Sequence, residues 1–314
     1  MTDEHGGEGC VLVIGSAGTD LIGRARDHLH AGTSNPGQMR VSQGGVARNV
    51  AEDLARLGMD VILITAVGDD AQGQGLLAQA REAGINTDYC LTVKGQATGT
   101  YLAILDKEGT LHLAMDDMTV IEAVTPAYLR RHRALFQEAA AVFVDCNLPP
   151  STLATAISAA KKAGVPVAAD PTSVSLAQRL APHLADLWLI IPNEAEAGTL
   201  CPHPVPHADR NRAIDAARHL VSQGVEIAII AMAEFGVGYA TAHSSGHIPA
   251  LKTEVVDPTG AGDAMTAAVI FALLNEIPID EAIRLGASAA ALTLQHRGSV
   301  VAGLSLELLY DQLR

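Results

Sequence analysis

The chain has 314 residues, with 21 Lys+Arg against 35 Asp+Glu for a formal net charge of -14, and is 48% hydrophobic but only 3% aromatic. That apolar content supports a large core and excludes a mainly disordered chain. The acidity and scarcity of aromatics argue against a nucleic-acid partner, which needs a basic face and stacking platforms, but leave small phosphorylated ligands, which backbone amides bind without net positive charge.

In chain order, the N-terminus carries Asp3, Glu4 and Glu8 and has no basic stretch ahead of an apolar one, so no secretory signal is expected. Residues 11–14 are a continuous apolar run stopped by Gly15, as in a strand buried on both faces of a parallel sheet. Gly15-Ser16-Ala17-Gly18 only hints at a dinucleotide turn, because the full Gly-x-Gly-x-x-Gly is absent. Residues 19–43 read as irregular. Val46, Val50, Leu54 and Leu57 then repeat at helical spacing before Gly58. Residues 61–67 predict one strand, and 74–83 a helix ending at Gly84.

Residues 100–105 and 110–115 read as a hairpin closed by Asp106-Lys107-Glu108-Gly109. The segments near 19–43 and 87–118 are therefore expected to form a small β lid on one α/β domain spanning 1–314. Strand–helix alternation resumes with strand 141–145, helix 151–163 capped by Gly164, and strands at 165–170, 187–191 and 226–231. A further strand is expected at 254–256, with helices opening near Ala261 and Ile279. Such alternation implies a parallel sheet covered on both faces, with ligands at the carboxyl ends of its strands. The longest apolar run, 264–274, is too short for a bilayer, and Cys10, Cys90, Cys146 and Cys201 form no Cys-x-x-Cys pair. A soluble, cytoplasmic protein is expected.

The strongest local signal is Asp257-Pro258-Thr259-Gly260-Ala261-Gly262-Asp263. The small residues let a ligand approach the backbone, and the amides of Gly260, Ala261 and Gly262 at a helix start suit an anion. A carboxylate at Asp263 would repel that anion but makes sense as a base that accepts a proton from an attacking hydroxyl. The same residues also read as a glycine turn with an acid suited to the helix dipole. Asn193-Glu194-Ala195-Glu196 has the spacing of a capping box. Asp20 after the first strand, and Asn49 after Gly44-Gly45, read by themselves as a turn residue and a first-turn polar residue. No P-loop, Gly-x-Ser-x-Gly elbow or His-Glu-x-x-His helix occurs.

Two of these segments together resemble the signatures of the ribokinase-like (PfkB) carbohydrate kinases. They are Gly44-Gly45-Val46-Ala47-Arg48-Asn49, with Gly58 and Gly68 downstream, and Asp257 to Asp263. Within that family, Ser34-Asn35-Pro36-Gly37, the segment from Glu52 to Gly58, Asp116-Asp117-Met118 and Asp145-Cys146-Asn147 are most similar to the bacterial pseudouridine kinases. The resemblance implies a three-layer α/β/α sandwich with a β lid. It implies ATP-dependent phosphorylation of the 5′-hydroxyl of pseudouridine, with ribose, another nucleoside or a ketose as alternative acceptors and a non-catalytic sugar or nucleotide sensor as a further reading.

By the same resemblance, Asp263 is the base and Gly260, Ala261 and Gly262 the anion hole. Asp20, Asn35, Gly44, Gly45, Asn49, Asp117 and Asn147 would contact the acceptor. Asn193, Thr259 and Gly236, with Gly260 and Gly262, would contact the nucleotide. Glu196 would hold Mg²⁺ through water. A monovalent cation, K⁺, is implied near Asp257 and residues 297–301, and a homodimer meeting through the lids. Two departures stand out: Ala233 where the family commonly has glycine, and Pro258 where threonine is frequent.

Overall fold

The computed structural model describes residues 9–314; Asp3, Glu4 and Glu8 lie outside the described residues. In chain order the elements are β1 (Cys10–Ile14), β2 (Gly18–Ala25), β3 (Gly37–Gly44), α1 (Val46–Arg56), β4 (Val61–Ile64), β5 (Ala66–Gly68) and α2 (Ala71–Glu82). There follow β6 (Leu91–Val93), β7 (Gly99–Leu105), β8 (Leu111–Asp117), α3 (Pro126–Arg131), α4 (Arg133–Glu138), β9 (Ala139–Asp145), α5 (Pro150–Ala163) and β10 (Val167–Asp170). The remainder is β11 (Leu189–Ile190), α6 (Glu194–Leu200), α7 (Arg210–Ser222), β12 (Ile227–Ala231), β13 (Val237–Thr241), β14 (Ser245–Ile248), α8 (Ala261–Leu274), α9 (Ile279–Leu294) and α10 (Leu306–Gln312).

Eight strands form the main sheet in the order β14-β13-β12-β11-β10-β9-β1-β4. Pairing is parallel from β4 to β12 and antiparallel for β13 and β14. Both faces of the central strands are apolar, so each strand feeds two cores. Leu12 and Ile14 pack with Leu153 and Ile157 of α5 on one face. Val11 and Val13 pack with Leu54 of α1 and Val269 of α8 on the other. The result is the three-layer α/β/α sandwich that a run of buried parallel strands requires.

The lid is a four-stranded sheet, β3-β2-β7-β8. The stretch read as irregular, 19–43, thus supplies two strands, β2 and β3, paired from Gly18–Gly44 to Ala25–Gly37. Of the second lid segment, only β7 and β8 belong to this sheet; β6 pairs in parallel with β5 in a separate two-stranded sheet. The single strand expected over 61–67 is therefore two strands in two sheets.

The strand expected at 254–256 is absent. Val255 and Val256 are exposed, and the backbone amides of Val256 and Asp257 donate to the Leu294 carbonyl at the end of α9. These amides are spent on a helix carbonyl rather than on a strand partner. No helix among the described residues is long and apolar enough to cross a membrane.

Candidate active site

The carboxyl ends of β1, β9 and β10, the inner face of the lid and the starts of α1 and α8 converge on a cleft of about 320 Å³. Asp263 and Asn49 lie at its floor. Asp263 is in the first turn of α8, so the sheet-facing packing of that helix fixes where its carboxylate points. Asn49 Nδ2 donates to Asp263 Oδ2 at 2.7 Å. The amide is oriented from behind, because its Oδ1 accepts from the buried Arg48 guanidinium at 3.1 Å and from Ser299 Oγ at 3.0 Å.

Gly260 caps α8 with φ +80°, and a Cβ there would overlap the Ser299 backbone, so a side chain is barred on two counts. No side chain caps this helix start, so the N–H groups of its first turn lack intrahelical partners. Around Gly262 there is open space, so a ligand can approach the backbone. Accessible backbone N–H groups thus lie beside a carboxylate.

Asp20 sits on β2 with its carboxylate laid over Gly44, where any Cβ would collide with it. Gly45, at φ +95°, lets the backbone pass Ala17 closely before α1 begins. These two glycines seat Asp20 and aim the first turn of α1. Burial pushes the Asp20 pKa up to about 6 against the opposing charges of Arg48 and Arg40. Burial likewise raises Asp263 to about 7, with the Asn49 hydrogen bond and Arg48 opposing and the Asp20 and Asp145 charges adding. A base near neutrality is matched to accepting a hydroxyl proton.

Behind the cleft, Asp145 is fully buried and organises the loops around it. Its Oδ2 accepts from Ser16 N and Oγ, both at 2.7 Å, and from Ala47 N at 3.1 Å. Its Oδ1 accepts from Asn147 N at 2.9 Å, and Asn147 Nδ2 donates to Ser16 Oγ at 2.9 Å. Burial raises the Asp145 pKa despite these donors.

At the other end, Asn193 and Glu196 form a reciprocal capping box at the start of α6, both bonds 2.9 Å. Burial raises Glu196. Burial, then the Asp263 and Glu196 charges, hold Asp170 well above the ordinary carboxylate range. Asp170 Oδ1 accepts from Thr172 N at 2.7 Å, and Thr172 lines the cleft at φ +66°, a strained value for a β-branched residue.

Asp20, Gly45, Asn49, Asn147, Thr259, Gly260 and Asp263 all line the cleft. Asn35 does not: it closes the β2–β3 loop, accepting from His30 N and donating to the His30 and Thr33 carbonyls. Asp117 does not either. Strand alternation turns it from the cleft, its Oδ1 accepts from Thr119 N, and this bonding lowers its pKa. Its neighbour Asp116 faces the cleft instead, with Tyr101 and Met118.

Gly236 stands in the β12–β13 connection at φ +90°, where a Cβ would strike the Ile248 carbonyl; packing of β14 already demands glycine there. Ala233, in the same connection, adopts φ +45°. An L-residue pays roughly 1 kcal/mol for that conformation, which is the reason for a glycine preference.

Asp257 is already charge-paired. Arg40 of β3 contacts its Oδ2, which also accepts from Gly298 N at 3.1 Å, while Oδ1 accepts from Thr259 N and Oγ1 at 3.1 and 2.8 Å. Burial alone would raise this carboxyl, but Arg40 and these donors hold it below the usual range. The carboxylate near which a monovalent cation was expected is thus already neutralised by a guanidinium.

Ser16, Arg48, Tyr101, Asp116, Asp170 and Thr172 also belong to the site, although no sequence motif assigned them a role there. Arg48 was legible only as a cation inside the Gly-Gly segment, and Asp170 only as an acid ending a strand. The lid residues carried no local signal, because their facing depends on sheet pairing.

A profile of the pfkB family carbohydrate kinases matches residues 10–304. The pseudouridine kinase of Escherichia coli (strain K12) is 35% identical, over 91% of this chain and 91% of that one. The guanosine-inosine kinase of Exiguobacterium acetylicum is 30% identical, over 90% and 93%. Among solved structures, a carbohydrate kinase from Agrobacterium tumefaciens superposes with a TM-score of 0.81 at 31% identity, covering 97% of each chain. Fold and site define an α/β sandwich kinase with an uncapped glycine helix start beside a carboxylate. The chain belongs to the pfkB family of carbohydrate kinases.

Proposed function

We propose that the protein transfers the γ-phosphoryl group of ATP to the 5′-hydroxyl of pseudouridine. The observation that carries this reading is the juxtaposition of Asp263, its pKa raised to about 7, with the uncapped glycine-rich start of α8. The acceptor hydroxyl gives its proton to Asp263 as its oxygen bonds to phosphorus, and the bond to the departing ADP breaks. The Gly260, Ala261 and Gly262 amides stabilise the charge on the transferring group. Asp20 accepts the vicinal ribose hydroxyls, and Asn147 contributes a further polar contact. A sensor would need no base held at neutrality, which argues against the non-catalytic reading.

No lysine or arginine lines the cleft, while Asp20, Asp116 and Asp263 do. A neutral, donor-rich acceptor fits this lining and a pre-phosphorylated sugar does not. A nucleoside has those properties, and two relatives are nucleoside kinases by name.

The acids near the nucleotide end fit a hydrated Mg²⁺. Glu196 accepts from Asn193 N through Oε2 and Asp170 from Thr172 N through Oδ1, and among the described residues their other oxygens have no hydrogen-bond donor; two carboxylates with water and phosphate oxygens are the ion's usual donors. Among the described residues no cluster of three or more such side chains could hold a metal alone. When bound with ATP, the ion would neutralise phosphate charge; Asn193 would orient Glu196 through the capping box.

A homodimer through the lids is part of the same reading. On the outer lid face Met39, Val41, Leu113 and Met115 are 65%, 64%, 56% and 65% exposed. By register they flank Leu21, Gly23, Leu102 and Ile104, so these two rows of the outer face form an apolar patch, bordered by the polar row Gln43, Thr19, Thr100 and Asp117. A second copy of the same sheet is a self-complementary cover for it.

The test is ATP consumption across pseudouridine, uridine, adenosine, ribose and fructose. Turnover greatest on pseudouridine is expected. Turnover greatest on ribose overturns the substrate assignment, and binding without turnover favours a sensor.

A further inference from the structure

Four residues, one from each lid strand, stand in a single cross-strand row on the face toward the cleft. Ser42 of β3 is paired with Asp20 of β2, Asp20 with Tyr101 of β7, and Tyr101 with Asp116 of β8. Asp20, Tyr101 and Asp116 all line the cleft. One strand separates Asp20 from Asp116, so their backbones are roughly 10 Å apart, with Tyr101 between. Burial and the charges of both acids raise the Tyr101 hydroxyl pKa, in keeping with that position. Asp263 is influenced by Asp20 at its own end of the row. The cleft therefore runs from Asp263 past Asp20 and Tyr101 to Asp116.

This order dictates what each position can read. With a sugar hydroxyl at Asp263 and the vicinal hydroxyls at Asp20, the substituent on the anomeric carbon points over Tyr101 toward Asp116. A planar heterocycle suits the aromatic ring. At the far end stands a carboxylate, which when ionised only accepts hydrogen bonds. It rewards a heterocycle that presents an N–H there and penalises one presenting C–H or a carbonyl, because its acceptor then goes unmet. Pseudouridine, joined through carbon, keeps N1–H free on the edge where uridine has only C5–H.

We propose that Asp116 is a specificity-determining residue that accepts the N1–H of a carbon-linked nucleoside, selecting pseudouridine over uridine, with Tyr101 as the platform beneath the base. The assignment rests on the pseudouridine reading above and goes beyond it by naming the atom that is read. It also replaces Asp117, whose carboxylate is turned away and spent on Thr119. Asp116 lies at the exposed rim of the lid, so water competes for it and the discrimination it supplies is smaller than at a sealed site.

The experiment is a two-by-two comparison of kcat/KM for pseudouridine and uridine in wild type and Asp116→Ala, with Asp116→Asn as the conservative variant. The expected result is a fall in the pseudouridine-to-uridine ratio of about tenfold to a hundredfold in Asp116→Ala, almost wholly from loss on pseudouridine. Asp116→Asn, whose amide oxygen still accepts, is expected to recover much of the ratio. An unchanged ratio in Asp116→Ala, or an equal loss on both nucleosides, overturns the assignment while leaving the pseudouridine reading intact. If wild type phosphorylates no pseudouridine, the functional reading fails first and the assignment falls with it.

Discussion

Asn49 Nδ2 donates to Asp263 Oδ2 at 2.7 Å, joining residues 214 positions apart in sequence and tying the first turn of α1 to the first turn of α8. One carboxylate oxygen is thereby held, and the carboxyl plane with it, which in the proposed reaction leaves the other oxygen for the acceptor's proton. The bond also opposes the rise in the Asp263 pKa that burial causes. A single amide thus orients the Asp263 carboxylate and counters part of the rise in its pKa.

Replacing Asp263 with Asn is expected to lower kcat by at least about a hundredfold with KM for the acceptor little changed. The wild-type pH profile should show the same group. A carboxylate must be ionised to accept a proton, so activity should fall as pH drops through about 7, with Asp20, raised to about 6, adding to the same acid limb. Asp263→Asn should remove that upper step from its residual activity. Steady-state kinetics from pH 5 to 9 check both.

Asn49→Ala removes a hydrogen bond to a charged group, and a loss of about tenfold to a hundredfold in kcat/KM is expected. Without that bond only Arg48 opposes the effect of burial on Asp263, so the acid limb should move to higher pH. An acid limb that stays in place would show that Asn49 does not set the basicity of Asp263.

Asp53, one turn beyond Asn49 on α1, is wholly buried, and neither of its carboxylate oxygens has a hydrogen-bond partner. Burial, then the Asp263 and Glu52 charges, hold its pKa well above the ordinary range. A folded-state pKa above the unfolded value means that the unfolded chain releases the proton first, so stability is lost as pH rises past the unfolded pKa. Asp53→Asn removes that penalty. The variant is expected to melt above wild type at pH 8, with the gap closing toward pH 4. Thermal melts across that range would contradict the account if the gap were constant or reversed.

Charges placed on the outer lid face, as in Met39→Lys with Met115→Lys, are expected to convert a dimer to a monomer in sedimentation equilibrium. The core is untouched by these exposed positions, so melting should remain cooperative. A monomeric wild type would end the lid-dimer reading.

The strands β1, β9, β10 and β12 and the helices α1, α5, α8 and α9 were legible because each carries its periodicity in a short window. The capping box at Asn193 and Glu196 was legible for the same reason, being a contact between residues three apart. The lid strands β2 and β3 were not. Their inner face carries Asp20 and Ser42 and their outer face Leu21 and Val41, and only pairing distinguishes that mixture from an irregular loop. Helix α7 was passed over because its buried stripe is Ala213, Ala216, Ala217 and Leu220, too small to stand out.

What the amino-acid order determined by itself was the sandwich and the two glycine-rich segments, since local sterics and hydrophobic period dictate them, and the family through the resemblance those segments carry. Only the tertiary structure decided that Asn49 aims Asp263, that Arg40 occupies Asp257, and that Asp116 rather than Asp117 faces the cleft. Each of these is a contact or an orientation created when distant segments pack, and successive residues of a strand differ in facing by nothing that either one encodes alone.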